Sequence, residues 1–221
     1  MTFDFATFLV CAKTLGADHV HFRHTGKLQA SKFGAEVAWK RFDNIVLPLC
    51  ELAGVTHSIG PGDGGITPSY HYGTAEALYK KLGRIWKFPM LEGPGGYITV
   101  TLRDSFRNKH KNSGREWLDF VERSKRDVVV LHECELDPMP IAERMKLYAN
   151  AEMNFGVNNG PNVLAHLSDA PYRTFMGSMN ENDRMHHKKT GFPVGSQFSF
   201  KNDRQMLIWK PVSIMDHLED T

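Results

Sequence analysis

The densest run of chemistry-bearing side chains lies at residues 99–117, Thr-Val-Thr-Leu-Arg-Asp-Ser-Phe-Arg-Asn-Lys-His-Lys-Asn-Ser-Gly-Arg-Glu-Trp. An apolar, β-branched stretch empties into a polar segment that holds Arg103, Arg107, Lys109, Lys111 and Arg115, with Ser105 and Ser113 among them. Guanidinium and ammonium groups grip phosphate oxygens through charge-assisted hydrogen bonds, and the free amides at a following helix start favour the same anion. Arg103, Ser105, Lys109, Lys111 and Arg115 are therefore candidate ligands of a phosphate or diphosphate. The same composition also suits a solvated surface loop. A second place of this kind is Asn158-Asn159-Gly160-Pro161, where a strand ends and Pro, a favoured first-turn residue, opens a helix. Asn158, Asn159 and Gly160 are candidates for holding an anion or sugar hydroxyls.

Histidines form a third group. His19, His21 and Arg23 share one face of a strand, because side chains alternate along an extended backbone. A His-x-His pair can ligate zinc or iron. No carboxylate or thiol at metal-ligand spacing completes it, so no metal is expected. Gly60-Pro-Gly-Asp-Gly-Gly65 lacks the Gly-Lys-Ser/Thr and the immediate helix of a phosphate loop, and is expected to be a linker. Cys11, Cys50 and Cys134 lie in apolar patterns without a Cys-x-x-Cys pair, which suggests reduced, buried thiols and a cytoplasmic setting.

The elements that must position these groups follow from hydrophobic spacing and from Gly, Pro and Asp punctuation. The spacing predicts a helix over 5–15, a strand over 19–23, a helix over 35–53 that Pro48 kinks or splits, and a strand over 55–59. A short helix covers 75–82, and Glu92-Gly-Pro-Gly-Gly96 is the strongest boundary signal. After it come strands over 97–102, 128–132, 151–157 and 172–176, with helices over 115–125, 140–149 and 160–167 between them. A terminal helix covers 214–219. Strands alternating with helices imply parallel βαβ units with right-handed crossovers and ligands beyond the strands' carboxyl ends. The expected fold class is α/β, with two Rossmann-like parallel-sheet units. A reduced unit spans 1–92, and a nucleotide-binding unit with a tail spans 93–221.

Composition sets the frame. The chain has 221 residues, 41% hydrophobic and 24% charged, with 27 basic and 25 acidic residues for a net charge of +2. That is ordinary for a globular protein and excludes disorder. No apolar run reaches the ~20 residues that span a bilayer. Residues 103–126 hold eight Lys and Arg against four acidic residues, but near-neutral overall charge argues against a nucleic-acid partner.

Asn-Asn-Gly-Pro-Asn-Val-Leu-Ala at 158–165, followed by Ala170-Pro171 and a strand, resembles the D-S/T-G-P-x-H-L-A…P segment of glycosyltransferase family 9. That family contains the ADP-heptose:lipopolysaccharide heptosyltransferases. The 103–117 region resembles its phosphate-contacting loop, and Asp4-Phe-Ala-Thr-Phe-Leu-Val-Cys-Ala resembles its G-D-x-L-x-x-L-P-A stretch. Phe3 stands where the family has Gly, and Val163 where it has His. The resemblance implies the GT-B arrangement of two Rossmann-like domains. It further implies a nucleotide-diphosphate sugar as donor and a glycan or lipid-linked acceptor, with no cofactor and no metal. Asp4 then corresponds to the base that takes the acceptor's proton, and Asp104, at a strand's carboxyl end, is the rival. Three alternatives stay open: a sugar-nucleotide epimerase or hydrolase on the same fold, a non-catalytic nucleotide-sugar or glycan-binding protein, and nucleic-acid binding.

Overall fold

The computed structural model describes residues 4–23, 35–62, 71–103, 114–133, 139–158, 160–176, 185, 187–209 and 212–220. Helix α1 (Asp4–Thr14) opens with an acidic residue and closes with Lys13, the arrangement a helix dipole favours. Gly16, at φ +91°, turns the chain out of it. Strand β1 (His19–Arg23) follows. The helix predicted over 35–53 is present in three parts. These are α2 (Ala35–Arg41), a π turn (Phe42–Val46) and α3 (Leu47–Leu52), with Pro48 in the first turn of α3. Proline has no amide hydrogen and its ring crowds the carbonyl four residues back, so the helix widens before it rather than continuing regularly. Strand β2 (Thr56–Gly60) pairs with β1 in parallel, His19 opposite Thr56 and His21 opposite Ser58.

Helix α4 (Tyr72–Leu82) begins three residues before the predicted position and ends on Gly83 at φ +68°. The second sheet contains β3 (Tyr97–Arg103), β4 (Asp127–Glu133), β5 (Met153–Val157), β6 (Tyr172–Phe175) and β7 (Gln205–Ile208). Its order is β4-β3-β5-β6-β7, and each neighbouring pair is parallel. Helices α5 (Gly114–Arg123), α6 (Ile141–Asn150) and α7 (Val163–His166) connect the strands. Helix α7 is one turn, where the spacing predicts eight residues, and β7 has no counterpart among the predicted elements. A 3-10 segment (Ile214–Asp220) stands where the terminal helix is predicted.

All five residues of β5 are buried, as expected for a central parallel strand covered on both faces. On one face Ile98, Val100, Phe155 and Ile208 pack with Trp117 and Phe120 of α5 and with Ile214. On the other, Leu131, Tyr172 and Leu207 join Met145 and Tyr148 of α6, Leu164 of the short α7, and Leu9, Leu49 and Ala75 of the N-terminal helices. One apolar cluster thus draws on residues from both sides of position 92. The protein is an α/β fold with a two-stranded and a five-stranded parallel sheet. No helix among the described residues is long and apolar enough to cross a membrane.

Candidate functional site

The five-stranded sheet starts at β3, winds outward to β4, then crosses back to β5 and onward. The winding direction reverses between β3 and β5. Loops leaving two such strands diverge to opposite sides and open a crevice at their carboxyl ends. β3 and β5 are hydrogen-bonded neighbours, Thr101 opposite Gly156. The backbone of Arg103 closes β3 at this edge, and the backbone of Asn158, just past β5, donates to Phe175 O at 3.0 Å. The segments that leave the two strands therefore emerge side by side.

Of the candidate ligands, Asn158 and Gly160 are half-buried in the turn after β5, and the Gly160 carbonyl accepts from Val163 N at 3.1 Å. Arg115 is exposed in the first turn of α5. Asp104, Ser105, Lys109, Lys111 and Asn159 lie outside the described residues, as does the side chain of Arg103. Asp4 opens α1, half-buried, close enough to Tyr72 at the start of α4 to contribute to that phenol's raised pKa. Burial is the larger cause of that rise, followed by the neighbouring Tyr172.

Directly beneath the crevice lies a buried polar network. Thr101 Oγ1 sits 3.0 Å from the Tyr148 hydroxyl, which donates to Asn162 Oδ1 at 3.1 Å. Asn162 Nδ2 donates to the Val157 carbonyl at 2.8 Å, tying the turn to the end of β5. Only glycine fits at 156, since a Cβ there would stand 2.4 Å from Asn162 Nδ2. Arg144 enters from α6, donating to the Tyr148 hydroxyl at 3.2 Å and to the His132 carbonyl, at the end of β4, at 3.3 Å. Arg144 is 3% exposed, and both of these acceptors are neutral. The guanidinium also lies 5.9 Å from the Tyr148 ring centroid, and no ion pair to it is formed among the described residues. Sequence spacing gives no hint of this, because Arg144 reads as an ordinary helix residue.

The other chemistry-bearing groups settle as follows. Cys11 and Cys50 are buried, and burial pushes both thiols up to about 11, which keeps them protonated and unreactive. Cys134 lies outside the described residues. His166, in the short α7, is a packed core residue between Tyr72 and Thr174. No three His, Cys, Asp or Glu side chains converge as a metal cluster among the described residues. No protein-family model, curated protein or solved structure matches the chain.

Proposed function

We propose that the chain is a GT-B-like glycosyltransferase that moves a sugar from a nucleotide-diphosphate sugar to a glycan or lipid-linked acceptor. The observation that supports this reading is the reversal point between β3 and β5. The basic 103–115 segment leaves one strand there and the Asn158–Gly160 turn leaves its neighbour. The buried Arg144 adds a positive charge close to the ends of these strands. In the proposed reaction an acceptor hydroxyl attacks the anomeric carbon as the bond to the diphosphate breaks. A carboxylate, Asp4 or its rival Asp104, takes the hydroxyl's proton. Arg103, Lys109, Lys111 and Arg115 stabilise the negative charge left on the departing nucleoside diphosphate. Ser105, Asn158, Asn159 and Gly160 hold the donor's sugar and phosphates.

The test is a thermal-shift screen with ADP-, GDP-, UDP-, TDP- and CMP-sugars, followed by turnover with the donor that binds. A ligand at ~100 times its dissociation constant adds about 2.7 kcal/mol of stability. Arg103→Ala and Arg115→Ala should each weaken that donor about tenfold or more, the scale of a charged hydrogen bond. Asn caps a helix about as well as Asp but cannot accept a proton, so Asp4→Asn should fold normally and lose ~10²–10⁴ in rate. A rate within a few-fold of wild type moves the base to Asp104. Absence of any shift with all five nucleotide classes rejects the reading.

A further inference from the structure

The strand pair β1–β2 carries a polar face that glycosyl transfer does not use. His19 and His21 stand on it two residues apart, opposite Thr56 and Ser58. Their partners fix which ring nitrogen bears the proton. The Thr56 hydroxyl lies 3.1 Å from the Asp18 carbonyl, which can only accept, so Thr56 donates there. Its oxygen then accepts from His19 Nδ1 at 2.8 Å. His21 Nε2 lies 3.3 Å from the Pro61 carbonyl, again only an acceptor, and donates to it. In the neutral rings the lone pairs that remain are His19 Nε2 and His21 Nδ1. Both are 2.8 Å from the same atom, Ser58 Oγ. That hydroxyl has one hydrogen and satisfies one lone pair. The other nitrogen faces an oxygen lone pair, so a cation there, a proton or a metal ion, closes the network.

We propose that this point of convergence binds a borderline divalent transition ion (zinc, nickel or copper) through His19 Nε2 and His21 Nδ1. The Ser58 hydroxyl and water fill the other positions. Imidazole nitrogen suits these ions. A metal-bound histidine characteristically donates its other N–H to an oxygen, which fixes tautomer and ring orientation. Thr56 Oγ1 and Pro61 O already serve as those oxygens. Gly62 fits the same purpose. A Cβ there would stand 3.3 Å from His21 Nε2, closer than side chains usually pack, so glycine lets the loop close on the ring. With two protein nitrogens the site is exchangeable, and its water positions are open to an oxygen ligand such as phosphate or a sugar hydroxyl. This inference does not depend on the nucleotide-sugar reading.

The test is calorimetric titration of the whole chain with Zn²⁺ alone and with Ni²⁺ alone, at about pH 7.5 and about pH 5.5. One equivalent should bind at the higher pH and weaken strongly at the lower, where protons compete for the same lone pairs. His19→Ala and His21→Ala should each lower that affinity at least about tenfold. Thr56→Val keeps both rings but removes an orienting oxygen, and should cost about tenfold as well. His57→Ala should leave the first equivalent unchanged, because that ring lies on the opposite strand face against Phe22. The two site histidines and Thr56 are exposed, so the fold should persist, which circular dichroism of each variant checks. Unchanged first-equivalent affinity in His19→Ala or in His21→Ala overturns the proposal. So does equal binding by wild type and the double variant.

Discussion

At the scale of single residues, His166 and Tyr172 show how differently two buried polar groups are treated. The Tyr72 hydroxyl stands 2.7 Å from His166 Nδ1, and His166 Nε2 stands 2.8 Å from Thr174 Oγ1. A neutral ring satisfies both contacts, with Tyr72 donating to Nδ1 and Nε2–H donating to Thr174. The Tyr172 ring packs edge-on against the same imidazole, yet its buried hydroxyl has no hydrogen-bond partner among the described residues. Burial raises its pKa well above that of a free phenol. An orphaned buried hydroxyl costs about 1–3 kcal/mol of desolvation. Tyr172→Phe should therefore hold or raise the unfolding midpoint in urea. A loss of more than about 1 kcal/mol would show that the hydroxyl is bonded after all.

At the scale of elements, helix α4 and the segment after β6 are fitted to each other at one glycine. A Cβ at Gly73 would lie 1.9 Å from the Thr190 carbonyl, a backbone atom that cannot swing aside. Gly73→Ala should push the 188–191 turn off the helix and cost about 1–3 kcal/mol or more, read as a lowered melting temperature. Alanine suits helices better than glycine, so local propensity predicts the opposite sign. The strands and longer helices were legible in the sequence because their apolar spacing is regular and Gly16, Gly54 and Gly83 punctuate it. Other parts carry no such mark. Strand β7 is four residues, Gln-Met-Leu-Ile, too short for a period to show. The run Val163-Leu-Ala-His looks like the body of a longer helix. There the Asn162 side chain spends its amide on the Val157 carbonyl and the helix starts late. That β3 and β5 end side by side at one edge was legible because alternating strands and helices imply parallel pairing. Arg144 was not, since its burial comes from α6 packing on the sheet. Nor was the Thr56–His19–Ser58–His21 chain, which needs the strand register.

For the molecule as a whole, the far end of the chain folds back over the near end. Phe192, Phe198 and Phe200 stack in series, with Tyr72 and Tyr79 of α4 edge-on to them. The buried carboxylate of Glu76 accepts from both the hydroxyl and the backbone amide of Ser199. Two titrations follow. Burial lowers the pKa of His166 from 6.5 to about 3, so the unfolded chain takes up a proton that the folded one refuses. Its contribution is complete above about pH 6.5 and is lost as pH falls toward 3, at about 1.4 kcal/mol per pH unit. For Glu76, burial alone would raise the pKa, but the Ser199 bonds and Lys80 bring it below 4.5. It adds to the loss only at lower pH. Denaturant unfolding should thus show stability falling by about 2 kcal/mol between pH 6.5 and 5, and His166→Gln should flatten that slope. A slope unchanged in the variant would assign the acid sensitivity elsewhere.

The Glu76–Ser199 tie also sets a timetable for synthesis. Its two partners are 123 residues apart. At ~5–20 residues per second, the ribosome finishes α4 some ~6–25 s before it makes the serine and the aromatic rings that cover that helix. During that interval Tyr72, Tyr79 and an ionised Glu76 have none of these partners, and the nascent chain presents a bare aromatic surface. A factor that shelters apolar stretches on emerging chains would find its opening there. A ribosome stalled ahead of codon 192 would hold a polypeptide with its first helices made and their cover still unwritten.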